Sequence, residues 1–314
     1  MPFNRKLQKF SASINEVEIG TGDKAVKIGG QNVLPFYSFD GNIGNGAKVG
    51  IEISDLGVEG MPACIQACYE GCTSFADIAK KAASFEGVDF LALSLEGGDP
   101  NGLNKPTDEL IAIVKEVADA TDLPLVVEGA KNAEKDSELL AKVAEVLAGK
   151  NVLVMSAKEE NYKAIGASAG LAYGQKVGAE SAVDINLAKQ LNVVMTQLGV
   201  NANSIVMNTG SASVGYGFDY TLSTFDRVRA AALGQDDKML QMPIVTPVAS
   251  ETWGVKESTA AEADAPEGWG PVEARGISME VQTAVACLAS GSDAVILAHP
   301  VSVSTVAKLV KELV

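Results

Sequence analysis

Three cysteines spaced four residues apart, Cys64, Cys68 and Cys72, are the first residues here whose spacing invites chemistry, because three thiolates can hold an iron-sulfur cube. Loops that wrap such a cube use a three-then-two spacing. The three-then-three spacing found here is one face of a helix, where thiols at i, i+4 and i+8 rise in a line and do not converge. The segment is therefore expected to be helical, with small buried or half-buried thiols and no metal. His299 is the only histidine, so any His-based metal site or Ser-His-Asp triad must pass through it, and none assembles. With Pro300 behind it at the end of an apolar run, it could face ligand as a donor or tuck away as a packed ring. The residues leave both readings open.

The acidic residues Glu96, Asp99 and Glu128 lie in the loops that follow apolar runs and could act as general acids or bases. Asp99-Pro100-Asn101-Gly102 is equally the composition of a tight turn, and no second residue type completes a mechanism. Gly97-Gly98 and Gly210, Gly215 and Gly217 lack the Lys-Ser/Thr ending of a phosphate loop, so their freedom fits close approach of backbone to a bulky flat ligand or a partner surface. Trp253 and Trp269, the only tryptophans, fall on one long insertion, which suits an interface anchor.

These residues need a scaffold, and the chain has the material for one: 314 residues, 47% hydrophobic, with 31 glycines and 11 prolines. From residue 48 onward a short apolar run followed by an amphipathic stretch recurs eight times. Strands are expected at 49–53, 88–95, 125–127, 152–155, 177–179, 205–207, 244–248 and 294–297. Helices are expected at 74–84, 107–120, 134–147, 160–173, 184–198, 220–233, 277–289 and 303–313. Asp184 and Ser302 read as N-caps, and Gly149 and Gly291 as helix stops. Eight strand-helix units close a parallel sheet, so the expected fold is α/β: a single (β/α)8 TIM barrel over 48–314, preceded by an N-terminal extension, 1–47. A hairpin in that extension, with arms at 17–19 and 25–28, is expected outside the barrel wall. A doubly wound sheet would want a Gly-x-Gly-x-x-Gly turn after its first strand, where Ile53-Ser54-Asp55-Leu56-Gly57 stands. Function in such a barrel gathers where strands end, which brings the loops at 96–102, 128–132, 208–217 and 249–275 and His299 to one mouth.

Charge narrows the partners. Lys and Arg number 25 against 40 Asp and Glu, a net charge of −15, and basic residues do not cluster, so neither nucleic acid nor an anionic membrane is expected. No apolar run reaches the roughly 18 residues of a bilayer span, the start lacks a secretory signal, and four cysteines suit a reducing compartment; the cytoplasm is the expected location.

With the loops laid out, the chain resembles the small subunit of the corrinoid iron-sulfur protein, the methyl carrier of the anaerobic acetyl-CoA pathway, in the acetyl-CoA decarbonylase/synthase delta subunit family. The likeness rests on Leu34-Pro35-Phe36, Gly98-Asp99-Pro100, Glu134-Lys135-Asp136, Glu160-Asn161-Tyr162-Lys163 and the run Asp184 through Asn192. It continues in Gly215-Tyr216-Gly217-Phe218-Asp219-Tyr220, Arg227-Val228-Arg229, Trp253 with Lys256-Glu257, Trp269-Gly270 and His299-Pro300. The chain departs from that family's pattern in having Asn208-Thr209 where the sixth strand ends and Gly129-Ala130-Lys131 where the third does.

The resemblance implies a non-catalytic barrel subunit, paired as a heterodimer with a large subunit that holds the iron-sulfur cluster and most contacts to a corrinoid (cobamide). The barrel mouth of the small subunit would cover the corrin, with Asn208, Thr209, Gly210, Gly215, Tyr216, Gly217, Trp253 and His299 the residues expected at that surface. Its further partners would be a methyl-pterin methyltransferase, which supplies the methyl group, and acetyl-CoA synthase/CO dehydrogenase, which receives it. The alternative is a pterin-dependent methyltransferase on the same barrel, recruiting Glu96, Asp99, Glu128, Asn132 and Asn208. Binding of a methylated pterin by the chain alone separates the two, and the carrier reading expects none.

Overall fold

A computed structural model describes residues 6–314, so the first five residues of the extension lie outside the described residues. Eight parallel strands form one sheet. They are β3 (Lys48–Ser54), β4 (Phe90–Ser94), β5 (Leu125–Glu128), β6 (Leu153–Ala157), β7 (Lys176–Glu180), β8 (Ile205–Asn208), β9 (Val245–Pro247) and β10 (Ala294–Leu297). The edges β8 and β9 meet through a parallel bridge between Met207 and Ile244, reinforced by the Met207 N–H donating to the Pro243 carbonyl at 2.8 Å. The sheet is thereby closed, and the fold is a TIM barrel.

Side-chain alternation along these strands sorts the core into two layers. Ile51, Ile53, Leu91, Leu93, Val127, Val154 and Val295 face outward and pack beneath the helices. Phe90, Ala92, Val126, Leu153, Met155, Val206, Val245 and Ile296 face inward. Gly50 is required where the interior is fullest, since a Cβ there would come within 2.2 Å of the Phe90 ring.

The helices are α1 (Phe75–Ala83), α2 (Thr107–Ala120), α3 (Ala133–Val146), α4 (Tyr162–Ile165, running on as a π-helical turn), α5 (Ile185–Leu198), α6 (Phe218–Arg229), α7 (Val272–Ser290) and α8 (Pro300–Leu313). Asp184 caps α5 as expected, accepting from the N–H groups of Asn186 and Leu187, and Gly291 ends α7. Ser302 does not cap the last helix. His299 does, through its side chain, with Pro300 in the first turn, so Ser302 falls inside α8.

The hairpin, β1 (Val17–Ile19) with β2 (Val26–Ile28), stands outside the wall as its own antiparallel pair. It is no loose preamble: Val17, Ile19 and Ile28 join the inward-facing core. Asn151 at the foot of β6 donates to the carbonyls of Glu18 and Gly20, and the Asn15 N–H donates to Gln241 near the foot of β9. The hairpin thus covers the barrel floor, while the strands' C-terminal ends open onto cavities at the mouth.

The cysteine segment corrects another expectation. A single long helix does not form; one turn, Ala63–Gln66, passes into a 3-10 turn, Ala67–Tyr69, and Cys72 follows beyond it. Gly60 and Pro62 before it and Gly71 after it leave too little helix-forming chain between them. The three thiols are half-buried against the outer core, and burial pushes Cys64 and Cys68 up from the ordinary thiol range. Burial carries Cys287 to about 12.

Candidate functional site at the barrel mouth

Strand parity decides which side chains reach the mouth. On β3 the outward residues are Ile51 and Ile53, so Glu52 and Ser54 point in; the same count places Glu128, Glu180 and Asn208 inward at the ends of β5, β7 and β8. Continued past β10, outward Val295 and Leu297 put His299 on the helix side of the wall.

Two connected cavities result. The first, about 260 Å³, is bounded by Glu128, Met155, Ser156, Lys158, Glu180, Asn208, Gly210 and Glu251. The second, about 430 Å³, is bounded by Glu52, Ser54, Glu96, Met61, Ile65 and Trp253. Lys131 and Ser250 border both. Lys131 holds φ +61, and Ala182, Val183 and Gly210 around the first cavity are also left-handed at +41, +62 and +83. For β-branched Val183 this is a costly conformation, sustained by its N–H donating to the Thr209 carbonyl at 2.7 Å.

The mouth is acidic. Burial raises Glu52 well above the carboxylate range, with the charge of Glu128 adding to it. Burial likewise brings Glu128 to about 7, opposed by Lys131 and assisted by Glu180 and Glu96. Asp136, whose carboxylate accepts the Ala130 N–H at 2.6 Å, is carried by burial to about 6. Lys158 pairs with Glu180 at 3.0 Å, while Glu96 accepts from the Ser54 hydroxyl at 2.8 Å. One oxygen of Glu128, which is only 9% exposed, has no hydrogen-bond partner.

The residues expected at the corrin-facing surface fall into three groups. Asn208 and Gly210 line the first cavity and Trp253 the second. Gly215, Tyr216 and Gly217 lie on the rim: Tyr216 is 47% exposed, and its hydroxyl donates to Glu257 at 2.5 Å, tying the β8–α6 loop to the short helix Lys256–Thr259. Gly215 at φ +94 and Gly217 at φ +73 need the freedom of glycine to form the turn, and nothing lies within 4 Å of a Cβ built on Gly215. Thr209 and His299 are enclosed and border neither cavity. His299 Nδ1 accepts from the Val301 N–H at 3.2 Å, so the proton of the neutral ring sits on Nε2, which faces Glu273 at 3.4 Å. Burial lowers its pKa, and its ring stacks on Trp253 with centroids 6.0 Å apart. Of the two tryptophans, Trp269 is the more open, 37% exposed and under the Arg275 guanidinium.

Glu52, Lys131, Ser156, Glu180 and Glu251 were not singled out from sequence. A carboxylate inside the otherwise apolar strand 49–53 was the available signal for Glu52. The other four converge only once the barrel closes.

Comparison with known proteins agrees with the fold and specifies the family. Dihydropteroate synthases superpose over nearly the whole chain: the Xanthomonas albilineans enzyme with 4-aminobenzoic acid gives a TM-score of 0.56 at 13% identity, covering 95% of this chain and 97% of that one. The Coxiella burnetii enzyme gives 0.54 at 10% identity, covering 87% and 96%. At such identities the likeness is one of fold. The acetyl-CoA decarbonylase/synthase complex subunit delta 1 of Methanosarcina thermophila is 33% identical over 98% of this chain and 72% of its own length. The delta subunit of Methanocaldococcus jannaschii is 30% identical over 98% and 76%. The family model described as CO dehydrogenase/acetyl-CoA synthase delta subunit matches residues 16–299, from the floor hairpin to the histidine that caps the last helix, and the chain belongs to that family.

Proposed function

We propose that this chain is the non-catalytic barrel subunit of a methyl-carrying corrinoid protein within the acetyl-CoA decarbonylase/synthase system. It would form a heterodimer in the cytoplasm with a larger chain that holds a cobamide and an iron-sulfur cluster. A methyl-pterin methyltransferase would load the carrier, and acetyl-CoA synthase/CO dehydrogenase would unload it. The observation that carries this reading is the rim: a glycine turn with open space above Gly215, beside a half-exposed tyrosine, at the C-terminal mouth of a barrel whose family is that of the delta subunits.

The residues fit a cover for a flat macrocycle better than a ligand to its metal. Without a Cβ at Gly215 and Gly217 the rim backbone can lie against a planar ring, and Asn208 offers a side-chain amide to polar ring substituents. His299, with Nδ1 engaged in capping α8, is not presented to a metal at the mouth. When bound, the corrinoid supplies the cobalt nucleophile that accepts and releases the methyl group. This chain's part is to exclude water over the ring and to withdraw for each partner. The Tyr216–Glu257 contact holds two rim loops together during that excursion. The test is the corrin absorbance of the larger chain, reduced under anaerobic conditions, with and without this chain. Slower reoxidation with the barrel present supports the cover; an unchanged rate refutes it.

A further inference from the structure

Helix α7 is 19 residues long and carries three charged side chains, Glu273, Arg275 and Glu280. Arg275 and Glu280 are buried and Glu273 lies in the first turn, so beyond it the exposed positions are Ala274, Ser278, Gln282 and Ala289, none of them charged. A helix on the outside of a barrel ordinarily turns charge to water, as α2 does with Asp108, Glu109, Lys115 and Glu116. The insertion before α7 makes a groove of the uncharged face. Trp269, Gly270 and Pro271 from the insertion and Ala274, Ser278 and Met279 from the helix border about 420 Å³. The Trp269 indole, 37% exposed, lies under the Arg275 guanidinium with 5.7 Å to its centroid. Arg275 in turn donates to the carbonyls of Glu257 and Ala260, so its charge is engaged in tying the insertion to α7. An apolar groove of this kind beside a fixed aromatic ring is the composition of a contact surface.

Charge selects the occupant. Glu257 borders the groove, and the Tyr216 hydroxyl that donates to it holds its carboxyl below the usual range, in the ionised form. Glu262, Asp264 and Glu267 follow it, exposed, along the insertion, against Lys256 as the exposed base. A second copy of this chain, itself at −15, would set one acidic collar against another, and an anionic surface would meet the same repulsion. The backbone of α7 is hydrogen-bonded within the helix and offers an extended peptide no strand edge, whereas a second helix can lie along its small residues. Pro271 to Met279 span roughly 12 Å of helix axis, the reach of side chains at i, i+4 and i+7 on a facing helix. We propose that the groove between Trp269 and the outer face of α7 docks an amphipathic helix of a partner protein, its large apolar side chains entering beside Trp269 and Met279 and its lysines or arginines facing Glu257, Glu262, Asp264 and Glu267. The site stands apart from the corrinoid reading: it asks for a cationic helix, whichever protein bears it, and needs no cobamide.

The experiment titrates the full chain, at physiological salt, with a synthetic peptide of about 15 residues built from Leu, Ala and Lys, its leucines on one helical face. Beside it run a peptide with Glu in place of Lys and one of the original composition with the leucines scattered. None contains tryptophan, so the emission of the chain reports docking. The basic amphipathic peptide is expected to bind below about 100 µM and to shift the emission to the blue, with both other peptides about tenfold or more weaker. Trp269→Ala should abolish the shift and weaken binding, read by calorimetry, about fivefold or more. Ala274→Lys, at an exposed position where a helix accepts lysine, should weaken it about tenfold, while Ala112→Lys, which adds the same charge on α2, should change it less than about twofold. No binding up to about 1 mM, equal binding of either other peptide, indifference to Trp269→Ala, or equal loss in the two lysine variants overturns the proposal. So does a dimer of the chain alone that Trp269→Ala dissolves, since a second copy would then fill the groove.

Discussion

Gly276 on α7 lies so close to the indole of Trp253 that a Cβ at that glycine would stand 2.1 Å from Cη2 of the ring. The tryptophan is thereby held between α7 and the imidazole of His299, with its edge toward the second mouth cavity. Gly276→Ala must push the ring aside, at a cost of about 1–3 kcal/mol. Denaturant unfolding should show this loss, and the fluorescence of Trp253 should shift as its environment changes. A variant as stable as the parent with an unshifted spectrum would contradict the packing described.

Trp253 therefore has two roles to separate. As a partner anchor its truncation should weaken assembly by about 2 kcal/mol or more. As a packed ring its truncation should destabilise the chain alone. Trp253→Ala is expected to lower stability by about 3 kcal/mol, the low end for a large buried side chain, because the ring is only partly buried. Unfolding of the chain alone and its affinity for the proposed larger subunit, measured side by side, apportion the effect.

His299 caps α8 by accepting at Nδ1, so His299→Asn, which can accept the same N–H, should be milder than His299→Ala, the latter losing about 1 kcal/mol of cap as well as the stack on Trp253. Burial depresses the ring's pKa, so the unfolded chain takes up the proton first: the contribution of this group is full above the unfolded value of 6.5 and is lost as pH falls below it. Melting temperatures of the parent and the Asn variant should converge between about pH 7.5 and 5.5. A constant gap would sink the assignment.

Glu128 works in the opposite sense. Its pKa is raised by burial from 4.5 to about 7, so the folded chain binds the extra proton, and stability from this group is greatest below 4.5 and declines as pH rises through 7. Glu128→Gln removes a penalty of up to ~3 kcal/mol at pH 8, from ~1.4 kcal/mol per pKa unit. The variant should melt above the parent at pH 8, with the gap narrowing toward pH 5; a variant less stable at pH 8 would show that the carboxylate is compensated in the free chain.

The barrel was legible because its signals are local. Each apolar run became a strand within about two residues, even the weak 177–179, which forms the full strand Lys176–Glu180 around Gly178 packed on Met155. The cap of α8 was legible too, since Pro300 marks the residue before it, but Ser302 drew the assignment by composition alone. What was not legible depends on closure. The alternation of Val17, Ile19 and Ile28 says that one face of the hairpin is buried without saying that the barrel floor buries it. The carboxylates and lysines of the mouth come from loops far apart in sequence, so the unpartnered oxygen of Glu128 has no sequence signature. At Gly215 and Gly217, composition suggested a surface for a flat ligand, and the positive φ values add that valine at either position would strain the turn itself. Gly215→Ala, with open space around its Cβ, is the gentler probe: about 1 kcal/mol in the chain alone, and under the proposed function a larger loss in the complex with the larger chain.

The central claim is that this barrel serves as one half of a carrier, and the most direct measurement is what co-purifies with it under anaerobic conditions. The account predicts a larger chain in equal amount that carries the corrin absorbance and the iron, both remaining with that chain when the two are separated. Recovery of this chain alone, or with the corrin and iron on the barrel itself, would contradict it.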